Sequence, residues 1–173
     1  MILPDGAYTL GGVKIAIVFA SKNGTTCKAA KRMASLLAEH EVDLINLGEV
    51  KKPRLDQYQA IALGTAIYAG KPLKMMKALV KRQEVALQKA RLGLFVCGMM
   101  KENDKRASEL ADAFPESLHA SAVAEAFLGG EFNLDQLTAI EKLVISRIAG
   151  EATRASTIDD NAIEVFAKQL VGA

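Results

Sequence analysis

Residues 14–31 read KIAIVFASKNGTTCKAAK: an apolar run, a loop of small and polar residues, and the start of a helical pattern. The run KIAIVFA is almost continuously apolar and is followed by turn residues, which is typical of a strand buried on both faces. From Thr25 to His40 the apolar residues recur at helical spacing. This stretch therefore predicts a strand at Lys14–Ala20, a short polar loop and a helix that begins at Thr25.

The same alternation of strand and helix continues along the chain. Short apolar runs predict four further strands, at Val42–Asn46, Gln59–Thr65, Arg91–Cys97 and Ser121–Gly129. Helical spacing predicts helices at Pro72–Ala86 (with Pro72 in the first turn), Asn103–Phe114, Leu134–Ala149 and Asp160–Leu170. Alternating strands and helices indicate a parallel sheet covered on both faces. We therefore predict a doubly wound, five-stranded parallel sheet of order 2-1-3-4-5 in a three-layer α/β/α arrangement.

Composition narrows the class of protein. The chain has 173 residues, half of them hydrophobic, and a net charge of +2, which suits one domain and does not indicate a nucleic-acid-binding protein. Two cysteines are too few for a secreted disulfide framework, and the two histidines have no metal-ligand spacing. There is no signal-peptide pattern and no apolar run of about 18 residues. We expect a cytoplasmic protein without a metal site, in which residues 1–13 are an extension and residues 14–173 form one domain.

The loop after the first strand has the features of a phosphate site. A helix N-terminus presents backbone N–H groups to an anion, and Gly24 permits a tight turn and close backbone approach. Four side chains add donors: Ser21, Asn23, Thr25 and Thr26. Lys22 is the only cation of the loop, and both G-x-G-x-x-G and G-x-x-x-x-G-K-[ST] are absent, which favours a single phosphomonoester. The alternative is that Ser21 or Thr25 merely caps the helix.

Three loops together resemble those of the flavodoxin-like family. SKNGTT (residues 21–26) resembles the flavodoxin phosphate loop, roughly [ST]-x-[STN]-G-x-T. GTAIYAGKP (residues 64–72) and VCGMMKEND (residues 96–104) follow the next two switch-side strands, where that family places its second and third flavin-contacting loops. The resemblance covers the chain from about Lys14 onward. It implies a flavodoxin-like fold that binds FMN without a covalent link.

The resemblance also implies which residues hold the cofactor. The phosphate would be held by Ser21, Asn23, Gly24, Thr25 and Thr26, and Lys22 is included among the cofactor-binding residues of the same loop. The isoalloxazine ring would be bordered by Thr65, Ala66, Ile67, Tyr68, Ala69 and Gly70, with Tyr68 as the stacking partner unless it is simply a surface tyrosine. Cys97, Gly98 and Met99 would flank the pyrimidine edge through backbone N–H groups. No catalytic side chain is implied, because the flavin itself would carry the redox chemistry.

A long segment after the fifth predicted strand points to one branch of the family. Residues 129–156 read GGEFNLDQLTAIEKLVISRIAGEATRAS, with apolar residues on one helical face, a cap at Asn133 and a stop at Gly150. A helical insert here, with the ending GEATRASTIDDNAIEVFAKQL, resembles the menaquinone-dependent protoporphyrinogen dehydrogenases of haem synthesis. The insert of that family begins with a basic, aromatic-rich run. This chain has EFNLDQLTAIEK there, with one aromatic residue and three acids.

Three functions remain open at this point. One is an FMN oxidoreductase of the protoporphyrinogen dehydrogenase type that passes electrons to a quinone, located in the cytoplasm or at the inner membrane face. The others are a flavodoxin-type electron carrier for redox-partner proteins and an NAD(P)H-dependent flavin or quinone reductase. The helix after residue 72 has a basic side, which is either a solvated face or a docking surface for an acidic substrate or partner, formed by Lys71, Lys74, Lys77, Lys81 and Arg82. The insert could pack on the domain, pair two chains or rest on a membrane surface.

Overall fold

The computed structural model describes residues 12–22, 24–133 and 154–172. Its strands are β1 (Lys14–Ala20), β2 (Glu41–Asn46), β3 (Ala60–Tyr68), β4 (Lys71–Pro72), β5 (Arg91–Cys97), β6 (Ala122–Phe127), β7 (Glu131–Asn133) and β8 (Arg154–Ser156). Its helices are α1 (Thr25–Leu36), α2 (Lys74–Lys89), α3 (Asn103–Ala113), α4 (Glu116–His119) and α5 (Asp160–Val171). The predicted helix at Leu134–Ala149 lies outside the described residues.

The central sheet has the order β2-β1-β3-β5-β6, and each of these strands is parallel to its neighbours. Counted as successive parallel strands, this is the predicted order 2-1-3-4-5, so the predicted doubly wound fold is confirmed. The two-residue strand β4 adds an antiparallel edge to β3. Strands β7 and β8 form a separate antiparallel pair.

Two apolar clusters cover the two faces of this sheet. Ile15, Ile17 and Phe19 of β1 pack on one side with α1 and α5. The alternate residues of β1 face the other side, where α2 and α3 lie. Helix α1 contributes Met33 to the first cluster and α2 contributes Leu79 to the second. The continuous apolar run of β1 is therefore explained by burial on both faces, as its sequence predicted.

Several element bounds differ from the prediction. Helix α1 ends at Leu36 instead of His40, and α3 ends at Ala113. Strand β3 continues beyond Thr65 to Tyr68 because its end pairs with β4. Pro72 was predicted in the first turn of a helix, but it lies in β4, and α2 begins at Lys74. Proline lacks an N–H donor, and the edge of a sheet tolerates it for that reason.

The packed domain includes Val13, just before β1. Its side chain is buried, its N–H donates to Nδ1 of His40, and its carbonyl accepts from the Glu41 N–H. Residues 1–11 of the predicted extension lie outside the described part of the chain. Across the described ranges, no helix has the length and apolar character needed to span a membrane.

Candidate functional site

The carboxyl ends of the three central strands lie side by side. Ala20 at the end of β1 is in register with Thr65 of β3, and Ala66 of β3 is in register with Cys97 at the end of β5. The loops that follow these strands therefore leave the sheet at the same edge, which is where ligands of open parallel sheets bind. The structure thus brings together the three loops predicted to hold the cofactor.

The first loop leads into a helix without a side-chain cap. The N-cap residue of α1 is Gly24, in the left-handed region at φ 86°, and no side chain of the described residues caps the first-turn N–H groups. Ser21 Oγ instead accepts from the Gly24 N–H at 3.0 Å, one step before the helix. The alternative that Ser21 or Thr25 caps α1 is therefore wrong. The N-terminal N–H groups and the positive end of the helix dipole remain suited to an anion.

Thr25 is tied to a residue that the sequence did not indicate. Its hydroxyl donates to the Glu131 carbonyl oxygen at 2.9 Å, and Nζ of Lys28 contacts both Glu131 carboxylate oxygens at 2.8 and 2.7 Å. Strand β7 therefore begins directly beside the first loop. More than 100 residues separate the partners in sequence, so no local pattern could have identified Glu131.

Thr26 is the buried polar residue of the first turn. Its side chain is fully buried among the described residues, and its Oγ1 has no hydrogen-bond partner. The Cys97 thiol lies close by on β5. Burial raises the pKa of this thiol to about 12, and the neighbouring Thr26 hydroxyl lowers it to a smaller extent although the two groups do not meet the geometry of a hydrogen bond. Such a thiol stays protonated at neutral pH, so Cys97 is a packing residue here. The Thr26 hydroxyl is therefore a donor for which the described residues provide no acceptor.

The second loop is a tight β-hairpin between β3 and β4. Ile67 pairs with Pro72 and Tyr68 pairs with Lys71, which leaves two residues in the turn, Ala69 and Gly70. Both have positive φ, at 50° and 71°, as in the type I′ turns that match the twist of paired strands. The left-handed conformation costs Ala69 roughly 1–2 kcal/mol relative to its preferred region. The predicted isoalloxazine loop is thus held by backbone pairing on both sides.

Two predicted residues of this loop have different environments. Thr65 is fully buried, and its hydroxyl accepts from the Leu73 N–H and donates to the Ala66 carbonyl, so it holds the hairpin against the start of α2. Tyr68 is 43 % exposed, as a stacking residue needs to be. Nζ of Lys22 lies 3.7 Å from the centre of the Tyr68 ring, a cation–π contact that joins the first and second loops.

The third loop is closely packed at the point where it follows β5. The Gly98 N–H donates to the Gly129 carbonyl oxygen at 3.0 Å, so in this structure it is used within the protein, and its predicted contact with the flavin stays a prediction. A Cβ at Gly98 would lie 3.1 Å from the Phe127 ring and 3.6 Å from Oε2 of Glu109. Met99 is half-buried and its sulfur lies against Gly130. The sequence did not indicate that the Glu109 side chain faces this loop.

The carboxyl group of Glu109 is the perturbed acid next to the predicted site. Its Oε2 is buried without a hydrogen-bond partner in the described part of the chain, and burial raises the pKa of the carboxyl. Helix α3 thus places the Glu109 carboxyl against the third loop.

Asn23, predicted to contact the phosphate, lies outside the described residues.

Comparison with known families settles which fold family this is. The sequence matches the family model of the flavodoxin domain over residues 16–159. The chain belongs to the flavodoxin-domain family. Membership in this family supports FMN as the cofactor. Comparison with curated proteins gives no match.

Solved structures share the fold at low sequence identity. A short-chain flavodoxin associated with a non-canonical PDU bacterial microcompartment is 13 % identical with a TM-score of 0.60, over 92 % of this chain and 97 % of that chain. Oxidised flavodoxin 1 from Bacillus cereus is 15 % identical with a TM-score of 0.56, over the same shares of the two chains. A flavodiiron protein variant from Thermotoga maritima is 12 % identical with a TM-score of 0.53, over 95 % of this chain and 36 % of that chain.

The residues of the first loop fit the phosphate of FMN. Among the described residues, which do not include Asn23, nothing caps the helix N-terminus, the Thr26 hydroxyl has no partner, and a Cβ placed on Gly24 would meet no atom within 4 Å. A phosphate oxygen can accept from the backbone N–H groups of such a helix start, since the first turn of α1 has no acidic residue of its own and the Glu131 carboxylate is paired with Lys28. The open space beside Gly70 and the exposed Tyr68 likewise leave room for a planar group.

Proposed function

We propose that this flavodoxin-like, FMN-binding redox protein is an oxidoreductase of the protoporphyrinogen dehydrogenase type, with a quinone as electron acceptor. One observation supports the finer assignment: Asn133 and Arg154, the described residues that flank the insert, belong to a strand pair whose base contacts the first loop. Strand β7 pairs with β8 at Asn133 and Arg154, and Glu131 of β7 contacts Thr25 and Lys28. An insert that begins and ends next to the first loop suits an added substrate site.

In this proposal FMN supplies the electron-transfer chemistry, and the chain provides binding and orientation. The N-terminus of α1, with Thr26, holds the phosphate. Tyr68 presents a flat aromatic face to the ring, and the Ala69-Gly70 turn brings backbone close to it.

An anaerobic turnover assay tests the reaction. FMN-loaded protein is mixed with protoporphyrinogen IX, and porphyrin fluorescence is followed with and without a soluble menaquinone analogue. Quinone-dependent porphyrin formation is the expected result. FMN that stays oxidised after protoporphyrinogen is added would refute the proposed substrate while leaving the cofactor in place.

A deletion tests the role of the insert. Because Asn133 and Arg154 are paired across β7 and β8, residues 134–153 can be replaced by a two-residue Asn-Gly turn that closes the same hairpin. This variant should keep its FMN affinity and lose porphyrin formation. Unchanged turnover at equal FMN content would exclude the insert from substrate binding. The matched control is the intact chain with Leu36→Ser, an exposed change on α1 away from β7.

A flavodoxin-type electron carrier is the second candidate. Its support is the acidic start of the insert, where Glu131 neutralises Lys28 instead of adding a cation for porphyrin propionates. A carrier would give no porphyrin in the assay above, yet its FMN would be reduced by a flavodoxin reductase. The third class, a nicotinamide-dependent reductase, requires that NADH or NADPH bleach the bound flavin directly, and this measurement separates it from both other candidates.

A further inference from the structure

A basic surface lies next to the predicted isoalloxazine loop. No acidic residue occurs between Asp56 and Glu84. Besides Arg54, this interval and the loop before it carry seven exposed cations: Lys51, Lys52, Lys71, Lys74, Lys77, Lys81 and Arg82. Within the described ranges none of the seven forms an ion pair, whereas the neighbouring Arg54 is paired with Asp56. The surface therefore has a local positive charge that the net charge of +2 conceals.

An apolar groove opens in this basic surface. It has a volume of about 230 Å³ and is lined by Leu47, Gly48, Lys51, Met75, Ala78 and Arg82; we call it the basic groove. Leu47 is buried and Met75 is 40 % exposed, so the floor is apolar. Nη2 of Arg82 donates to the Lys51 carbonyl oxygen at 2.7 Å, which joins the two walls and holds the guanidinium at the rim.

The basic groove lies at the edge of the sheet where the cofactor loops lie. Leu47 directly follows β2, and its N–H donates to the Phe19 carbonyl near the end of β1. Met75 is in the first turn of α2, three residues beyond Pro72 of β4. The groove is therefore adjacent to the second loop but contains none of the residues predicted to contact the cofactor.

Size and charge together select the occupant. A volume of about 230 Å³ is below the roughly 300–1,000 Å³ of pockets that enclose drug-sized ligands, and it suits one large apolar side chain. An anionic membrane would be attracted by the lysines but has no need of an apolar recess between two cations. Interfaces are commonly anchored by one buried apolar or aromatic side chain, with complementary charges around it.

We propose that the basic groove docks an acidic segment of a partner protein, with one apolar side chain inserted against Leu47 and Met75 and with flanking carboxylates facing Lys51 and Arg82. The exposed acid Glu49 does not line the basic groove, and its carboxylate accepts from Nδ2 of Asn46. The basic groove contains no residue predicted to contact the cofactor, so the inference goes beyond the proposed reaction. It is tested without any flavin chemistry.

The test uses two labelled nine-residue peptides of Asp and Glu that differ only in a central Leu or Ser. Binding is measured by fluorescence anisotropy with the full chain at low and at 0.15 M salt. We expect the Leu peptide to bind at least about tenfold tighter than the Ser peptide, because burying a leucine side chain is favourable. Arg82→Glu should abolish this preference. Lys89→Glu, an exposed charge reversal at the far end of the same helix, is the matched control and should leave the preference intact.

Three results would overturn the proposal. Equal binding of the two peptides would mean that the groove contributes nothing beyond charge. An equal loss from Arg82→Glu and Lys89→Glu would mean that binding is diffuse attraction. If neither peptide binds while phosphatidylserine vesicles do, and Arg82→Glu weakens vesicle binding more than Lys89→Glu, the basic surface faces a membrane instead of a protein. Circular dichroism of each variant checks that the fold is retained.

Discussion

The replacement Thr26→Val separates the structural cost of a buried hydroxyl from its use in ligand binding. Thr26 is completely buried in the first turn of α1, and its Oγ1 has no hydrogen-bond partner within the described ranges. Valine has nearly the same shape and is branched at the same carbon. The change therefore removes one polar atom without opening a cavity.

The two expected effects have opposite signs. A buried polar group without a partner costs about 1–3 kcal/mol, so flavin-free Thr26→Val should be as stable as the parent chain or more stable by about 1 kcal/mol. A hydrogen bond to a charged group contributes about 1.5–3 kcal/mol. If Thr26 donates to the phosphate of FMN, the variant should bind FMN about 10- to 150-fold more weakly.

Riboflavin provides the internal comparison, because it carries the ring system without the phosphate. Isothermal titration with both flavins should show weaker FMN binding and unchanged riboflavin binding for Thr26→Val, while Thr26→Ser, which keeps a hydroxyl, should retain most of the FMN affinity. Unfolding in urea gives the stability of each flavin-free variant. Equal weakening of both flavins, or unchanged FMN binding, would refute the assignment of this hydroxyl to the phosphate.

Three further predictions concern the body of the domain. Gly64→Ala should lower the free energy of unfolding by at least about 1–3 kcal/mol, because the added Cβ would overlap the Phe95 ring. Adding Phe95→Leu to this variant should recover part of the loss, as measured by unfolding in urea. Full stability of Gly64→Ala alone would contradict the close packing of Gly64 against Phe95. Burial raises the pKa of the Glu109 carboxyl, so its contribution to stability is complete below the pKa of the unfolded chain and is lost as pH rises through the folded pKa. Glu109→Gln should flatten that part of the profile of unfolding free energy against pH, and an unaltered profile would contradict the burial of this carboxyl. In single-cysteine variants, native Cys97 should react with a thiol reagent at pH 8 far more slowly than the half-buried Cys27, and equal rates would contradict the burial of Cys97.

The fold could be predicted because its signals are local. Lys14–Ala20 is apolar on both faces, and the positions facing α1 and those facing α2 alternate along it as a doubly covered strand requires. Helical spacing located α1 and α5 for the same reason, since each buries one face. Strand β4 was not predicted, because a two-residue strand is too short to show an alternation of apolar and polar residues. In addition, Pro72 suits the start of a helix as well as an edge strand.

The candidate site, like the fold, could be predicted from the sequence only in part. The positions of its three loops follow from the sequence, because the ends of adjacent parallel strands share one edge and each loop directly follows its strand. The role of each side chain in these loops does not follow from the sequence. Thr25 and Thr26 are neighbours of the same type, yet one donates to Glu131 and the other is buried without a partner. Helix geometry points them in different directions, and only the packing around them decides what each one meets.

The sequence by itself thus determined the class of fold, the strand order and the edge where a cofactor would bind, because these depend on periodicity and on short stretches of chain. Only the tertiary structure decided that Glu131 closes on the first loop, that Lys22 lies over Tyr68, and that Arg82 joins Lys51 to form the basic groove. These contacts join residues that are distant in the chain. Their existence depends on side-chain directions and close packing, for which a linear pattern carries no signal.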